Sequence, residues 1–95
     1  MTQSKNNYHV HHILVKHQYE AEDLLKKLGQ GAEFSELAKK FSICPSSSVG
    51  GDLGPQKFGR ADSDFEEAIS ILKIGSYTEK PIRTRFGYHL IFRKN

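Results

Sequence analysis

The hydrophobic pattern of this chain changes period just after residue 16, and that change restricts it to folds in which a sheet carries helices. The run His9-Val10-His11-His12-Ile13-Leu14-Val15-Lys16 is β-branched and apolar at its centre and too short for a helix. It reads as a strand covered on both faces. From residue 19 the apolar positions take helical spacing. Ala21, Leu24, Leu25 and Leu28 form one stripe, with Glu22–Lys26 and Asp23–Lys27 as i,i+4 pairs on the outer side. Gly29 suits a left-handed residue at the helix end. After Gly31 the stripe recurs as Phe34, Leu37, Ala38 and Phe41. Glu33 and Glu36 then fall in the first turn and Lys39 and Lys40 in the last, which complements the helix dipole.

A third helix is expected from Asp62–Ser63. Ser63 and Glu66 have capping-box spacing, Phe65, Ala68, Ile69 and Leu72 continue the stripe, and Gly75 ends it. A hairpin follows, with Pro81-Ile82-Arg83 as one arm, Thr84-Arg85-Phe86-Gly87 as the turn and Tyr88–Arg93 as the other arm. Pro81 has no N–H, so its arm belongs at a sheet edge or begins at that residue. Between the second and third helices, Ser42–Ala61 holds Pro45, Pro55, Gly50, Gly51, Gly54 and Gly59, and only Asp52-Leu53-Gly54 reads as a short strand. Long irregular segments in small domains are often functional. The order β-α-α-loop-β-α-β-β predicts an α+β fold with a small, mostly antiparallel sheet.

A chain of 95 residues makes one domain, expected over 8–95 behind a flexible polar segment 1–7. One cysteine excludes an internal disulfide framework and a multi-thiolate zinc site. No apolar run has the length of a membrane span, and the first residues lack a secretory pattern, so reducing cytosol is the expected compartment. The net charge of +3 is spread evenly: six Lys/Arg against five Asp/Glu in residues 1–47, eight against six in 48–95. Nucleic-acid binders concentrate their positive charge on one face, so nucleic acid is not the expected ligand.

Four features could carry chemistry: His12 in the first strand, Cys44 in the irregular segment, the Gly50-Gly51-Asp52-Leu53-Gly54 turn, and His89 in the last strand. Two buried histidines can satisfy each other, one donating and one accepting, as a structural pair or as part of a site. Cys44 admits three readings: a small hydrophobe, a thiolate nucleophile paired with His12 or His89, or a polar wall of a binding site. It precedes Pro45 near the end of a helix, where the dipole disfavours a thiolate. The glycine turn lacks the Gly-Lys-Ser/Thr ending of a phosphate loop. His9 and His11 share one strand face while His12 points the other way, and no His-Glu-x-x-His or Cys-x-x-Cys spacing occurs. No metal or other cofactor is expected.

Taken in order, His12-Ile13-Leu14-Val15-Lys16, Phe34-Ser35-Glu36-Leu37-Ala38-Lys39-Lys40-Phe41-Ser42, Cys44, Gly50-Gly51-Asp52-Leu53-Gly54, Phe65 and Phe86-Gly87-Tyr88-His89-Leu90-Ile91 resemble the parvulin family of peptidyl-prolyl cis/trans isomerases. The likeness covers residues 8–94 and is strongest to small single-domain bacterial parvulins. It implies a four-stranded antiparallel sheet surrounded by four helices, one of them a short helix within Pro45–Val49. It also implies an active site of His12, Cys44 and His89 beside an apolar proline pocket lined by Leu53 and Phe65, with Ala61 and Phe86 adjoining. Ala61 stands where the family usually has methionine, Asp64 where it often has proline or alanine, and Ser48-Val49 where a basic residue is common. The pocket is therefore expected to be roomier and its rim less positive. The resemblance implies isomerase activity on Xaa-Pro bonds of flexible or unfolded polypeptides, by a monomer without cofactors. No arginine-bearing loop follows the first strand, so phosphorylation is not expected to be required. A proline-peptide binding or holdase module with little turnover is the alternative.

Overall fold

The computed structural model describes residues 7–95. Strand β1 (Asn7–Val15) leads into helix α1 (Gln18–Gly29) and helix α2 (Phe34–Phe41). A 3-10 helix (Pro45–Val49), strand β2 (Asp52–Lys57), helix α3 (Ser63–Ser70) and the hairpin β3 (Ile82–Thr84) and β4 (Gly87–Arg93) complete it. The sheet is antiparallel throughout, in the order β2-β1-β4-β3. This is the expected α+β fold, with three α-helices and, over Pro45–Val49, the short fourth helix, which is 3-10. The expected flexible segment 1–7 lies outside the described residues except for Asn7, which pairs with Lys57 as the first residue of β1.

Strand β1 is buried on both faces because its two rows of side chains face different helices. Ile13 and Val15 pack with Ala21, Leu24 and Leu28 of α1, Leu37 and Ala38 of α2, and Leu90 of β4. Tyr8 and Val10 leave the other face and pack with Phe65, Ala68 and Ile69 of α3 and Ile91 of β4. The period-2 alternation of a strand therefore sends His12 and His89 to the α3 face. Both are buried.

Several boundaries fall elsewhere than expected. Helix α1 includes Gly29, and the left-handed residue after it is Gly31, with φ +102°. Helix α3 is capped by Asp62, whose carboxylate accepts the Asp64 N–H at 3.0 Å, and not by Ser63. Glu66 is free of the cap because its carboxylate turns outward to the preceding loop, accepting the Gly59 N–H (2.8 Å), the Ala61 N–H (3.1 Å) and the Tyr8 hydroxyl (3.1 Å). Helix α3 also stops at Ser70, short of Leu72 and Gly75. Residues 75–78 leave it to run along β4, where Gly75 N–H donates to Arg93 O and Thr78 N–H to Ile91 O. Strand β2 extends through Pro55 to Lys57, which its edge position allows, since one side of the strand needs no donor.

The Ser42–Gly51 segment is fastened to the edge of β1 that β2 leaves free. Leu14 N–H donates to Ser42 Oγ (3.0 Å), Ile43 N–H to Leu14 O (2.8 Å) and His12 N–H to Gly51 O (2.9 Å). Gly51 has φ +82°, and a Cβ there would press into the His12 carbonyl oxygen and crowd Ala38 Cβ. Gly51→Ala should therefore lose about 3 kcal/mol or more, since backbone strain and a backbone clash combine. Gly59→Ala, also at positive φ but in open space, should lose only about 1–2 kcal/mol. Urea unfolding of the two variants checks the difference, and equal losses would contradict the close approach at His12.

Candidate active site

A pocket of about 530 Å³ opens on the α3 side of the sheet. His12, His89 and Leu14 come to it from β1 and β4; Ile43, Cys44 and Pro45 from the segment fastened to β1; Arg60, Ala61, Asp62 and Phe65 from the β2–α3 connection and α3; and Arg85 and Phe86 from the β3–β4 turn.

The two histidines are diagonal neighbours across the β1–β4 ladder, where His12 faces Ile91 and Leu14 faces His89. Their Nδ1 atoms are 3.1 Å apart and their rings nearly parallel, with 5.2 Å between centroids. His89 Nε2 lies 2.8 Å from Thr84 Oγ1, which also accepts the Phe86 N–H at 3.2 Å. The Phe65 ring packs edge-on to both imidazoles, at 5.8 Å from His12 and 5.2 Å from His89. One hydrogen must sit between the two Nδ1 atoms, so two neutral arrangements exist. If the Thr84 hydroxyl donates to His89, then His89 donates to His12, and His12 Nε2 carries a hydrogen. If His89 donates to Thr84, then His12 donates to His89, and His12 Nε2 is an acceptor. In either case His12 Nε2 is buried without a partner among the described residues. That atom is the unfilled valence of the site.

Burial, helped for His12 by its proximity to His89, lowers its pKa to about 4. Burial likewise brings His89 down to about 4, with Asp62 pulling the other way. Both rings are neutral at pH 7.

Cys44 is a half-buried free thiol. It caps the 3-10 helix, with its carbonyl accepting the Ser47 N–H at 2.9 Å, so it stands at a helix start and not only beyond the end of α2. Its place beside His12 follows from the hydrogen bonds that tie Ser42 and Ile43 to Leu14. Phe65 is buried and forms a fixed wall, whereas Phe86 is 59% exposed and forms a rim with Arg85 stacked 5.0 Å over its ring. Ala61 lines the pocket, held by its N–H to Glu66. Leu53 is not among the lining residues; it packs partly buried against the Tyr8–Phe65 cluster. The rim is also more charged than Ser48-Val49 implied, because Arg60, Asp62 and Arg85 reach it from two other loops. Thr84, Leu14 and Ile43 were invisible as site residues, since a hydroxyl at a strand end or an aliphatic in a strand carries no motif.

The neutral pair makes stability depend on pH with a definite sign. The folded-state pKa values of about 4 lie below the ordinary 6.5, so the unfolded chain binds more protons between those limits. Stability is full above pH 6.5 and falls as pH drops towards 4, by on the order of 2–3 kcal/mol per histidine. Asp52 and Glu66, whose carboxyls lie below their usual values of 3.8 and 4.5, act only lower on the scale. Urea midpoints between pH 7 and 5 should decline steadily, and a flat profile would mean that the pair is not held neutral.

The fold has close counterparts. The PPIC-type PPIase (rotamase) domain matches residues 12–95. Foldase protein PrsA of Geobacillus kaustophilus is 46% identical over 81 residues, covering 84% of this chain and 28% of that protein. A putative peptidyl-prolyl cis-trans isomerase of Helicobacter pylori is 37% identical over 97 residues, covering 93% of this chain and 32% of that protein. The chain thus spans about a third or less of the length of these curated relatives. The crystal structure of PrsA from Bacillus subtilis superposes with a TM-score of 0.90 at 39% identity, covering 96% of this chain and 36% of that one. The solution structure of the parvulin of Nitrosopumilus maritimus, with a TM-score of 0.85 and 37% identity, is matched over 98% of this chain and 100% of its own. With the domain match over nearly its whole length, the chain belongs to the PPIC-type, or parvulin, family of peptidyl-prolyl cis/trans isomerases.

Proposed function

We propose that this chain accelerates cis/trans rotation of Xaa-Pro bonds in flexible or unfolded polypeptides without a covalent intermediate. The observation that carries this reading is the neutral Thr84–His89–His12 chain, whose last ring lines an apolar pocket and holds a buried, unpartnered Nε2. Rotation about Xaa-Pro is opposed by amide resonance, with a barrier of about 18–20 kcal/mol. Twisting the bond makes the nitrogen more amine-like and the carbonyl less polar. A site accelerates rotation by binding the twisted state better than either planar state. A thousandfold effect needs only about 4 kcal/mol of such preference.

The geometry supports the following roles. Phe65 and Phe86, with Ala61 and Leu14, grip the proline ring; Leu53 packs against the cluster that includes Phe65. Cys44 offers a weakly polar thiol beside the carbonyl. His12 and His89 form the floor, and the Nδ1–Nδ1 hydrogen bond lets His12 Nε2 act as donor or acceptor without a net charge on the protein. The polypeptide is the partner and nucleic acid is not, in keeping with the evenly spread charge. We place the chain as a monomer in a reducing compartment such as the cytosol, where Cys44 stays a thiol. A second reading, a proline-peptide binding module with little turnover, is favoured by Ala61, whose methyl group leaves one wall of the pocket short.

Exchange NMR on a short Xaa-Pro peptide with substoichiometric protein separates the two. Cis/trans exchange cross-peaks mark an isomerase, whereas broadening without them marks a binder. Cys44→Ser and Cys44→Asp should retain measurable exchange, and no peptide adduct should appear by mass spectrometry. An adduct, or complete loss of exchange in both folded variants, would rule out the noncovalent route.

The apolar walls also favour an uncharged residue before proline. Arg60 and Arg85 share the rim with Asp62, and so do not form a clamp for a dianion. In a peptide series, Leu-Pro, Met-Pro or Phe-Pro should turn over faster than phosphoserine-Pro. The reverse order would overturn phosphate independence while leaving the isomerase reading intact.

A further inference from the structure

A second set of imidazoles lies on the opposite face of β1 from the His12–His89 pair. His9 and His11 are two residues apart in the strand and leave one face. Their rings are parallel within 6°, with centroids 6.2 Å apart. Asp52, the first residue of β2, stands opposite His11 in the ladder, and its Oδ1 lies 2.6 Å from His9 Nε2. One potential ligand atom from each of the three residues lies within 4.8 Å of the other two.

The surroundings orient these groups for coordination. His11 Nδ1 is 3.0 Å from the Gly50 carbonyl oxygen. A carbonyl only accepts, so Nδ1 carries the hydrogen and the neutral ring keeps its lone pair on Nε2. The ring is braced edge-on against Phe92 at 6.0 Å. Asp52 Oδ1 accepts the Gly54 N–H at 2.8 Å. That amide fixes the carboxylate's position beside the two rings. An imidazole held through one nitrogen by a backbone carbonyl, beside a carboxylate fixed by a backbone amide, is the outer-shell arrangement of protein metal sites.

We propose that His9, His11 and Asp52 form a binding site for a zinc-type divalent cation that clasps edge strand β2 to β1, with solvent completing the coordination. Two imidazoles and one carboxylate suit zinc and its borderline-soft neighbours, whereas calcium and magnesium take oxygen ligands. Ligand atoms of tetrahedral zinc lie about 3.3 Å apart for bonds of about 2.0–2.1 Å. In the 2.6 Å His9–Asp52 pair the carboxylate only accepts, so His9 Nε2 carries the hydrogen; on binding, that proton passes to solvent and the ring keeps its hydrogen at Nδ1, freeing the Nε2 lone pair, while the pair opens slightly and the wider contacts close. All three side chains are half-buried, which leaves them that freedom and gives the ion a path in. The site is separate from the proline pocket and does not rest on the isomerase reading.

The test titrates the full chain, free of any affinity tag, with zinc chloride by calorimetry. One ion per chain is expected, with calcium giving no heat. At zinc a hundredfold above its dissociation constant, the melting temperature should rise by about 10 °C or more. His11→Gln and Asp52→Asn should each weaken binding at least about tenfold, whereas His17→Gln and Cys44→Ser should leave it unchanged. Ring nitrogen NMR of the unmodified chain needs no variant: zinc should move the ring resonances of His9 and His11, not those of His12, His17 or His89. No binding up to millimolar zinc, binding abolished by Cys44→Ser, shifts confined to other histidines, or calcium binding as tight as zinc would overturn the site.

Discussion

Strand β1 is hydrogen-bonded along both edges and covered on both faces in its second half, and the rest of the molecule is arranged to satisfy it. A buried backbone must place every N–H and C=O. Along one edge β4 supplies the partners from Val10 to Val15. Along the other edge β2 supplies them only from Asn7 to His11, and the remainder falls to Ser42, Ile43 and Gly51. The irregular segment is thus as tightly specified as a strand. Its glycine lets the backbone come against His12, and its serine closes the gap at Leu14. Cys44 is delivered to the pocket as a by-product of this pairing.

The same constraint fixes the electrostatics of the site. His12 and His89 face α3 because Ile13 and Leu90 must face α1 and α2. Their burial under Phe65 removes water from both rings and keeps them neutral. The pair is stable only because each ring finds a partner, one in the other and one in Thr84. One nitrogen is left over, buried in a ring that lines the pocket. An apolar cleft with a single unsatisfied polar atom can bind an amide without holding it planar through many hydrogen bonds, which suits a reaction whose barrier is the loss of planarity.

Opposite faces of β1 therefore carry opposite kinds of imidazole. His12 is sealed, uncharged and hydrogen-bonded within the core. His9 and His11 are half-open and lie beside an ionised carboxylate. A shift of one residue in register would exchange the two sets. The bulge between His9 and His11, where β2 changes register, is what sets Asp52 opposite His11 and within hydrogen-bond reach of His9.

The sequence by itself determined the element types, because periodicity reports which face of a segment is buried. The apolar stripes of α1, α2 and α3, the double-faced β1 and the closing hairpin were all legible in this way, and the ordered motifs from His12 to His89 carried the family resemblance. Boundaries were less legible. Ser63 and Gly29 have the right chemistry for caps, but Asp62 lies one residue nearer the helix entry and Gly31 is where the chain must reverse. Glu66 could not cap α3 once Gly59, Ala61 and Tyr8 drew its carboxylate away. Only the tertiary structure decided which distant groups meet: Thr84 with His89, Asp52 with His9, Arg60 and Arg85 at one rim, and Leu53 with the Tyr8–Phe65 cluster. A hydrogen bond or a ligand set is a condition on positions in space, and local pattern carries no information about residues 43 or 77 positions apart.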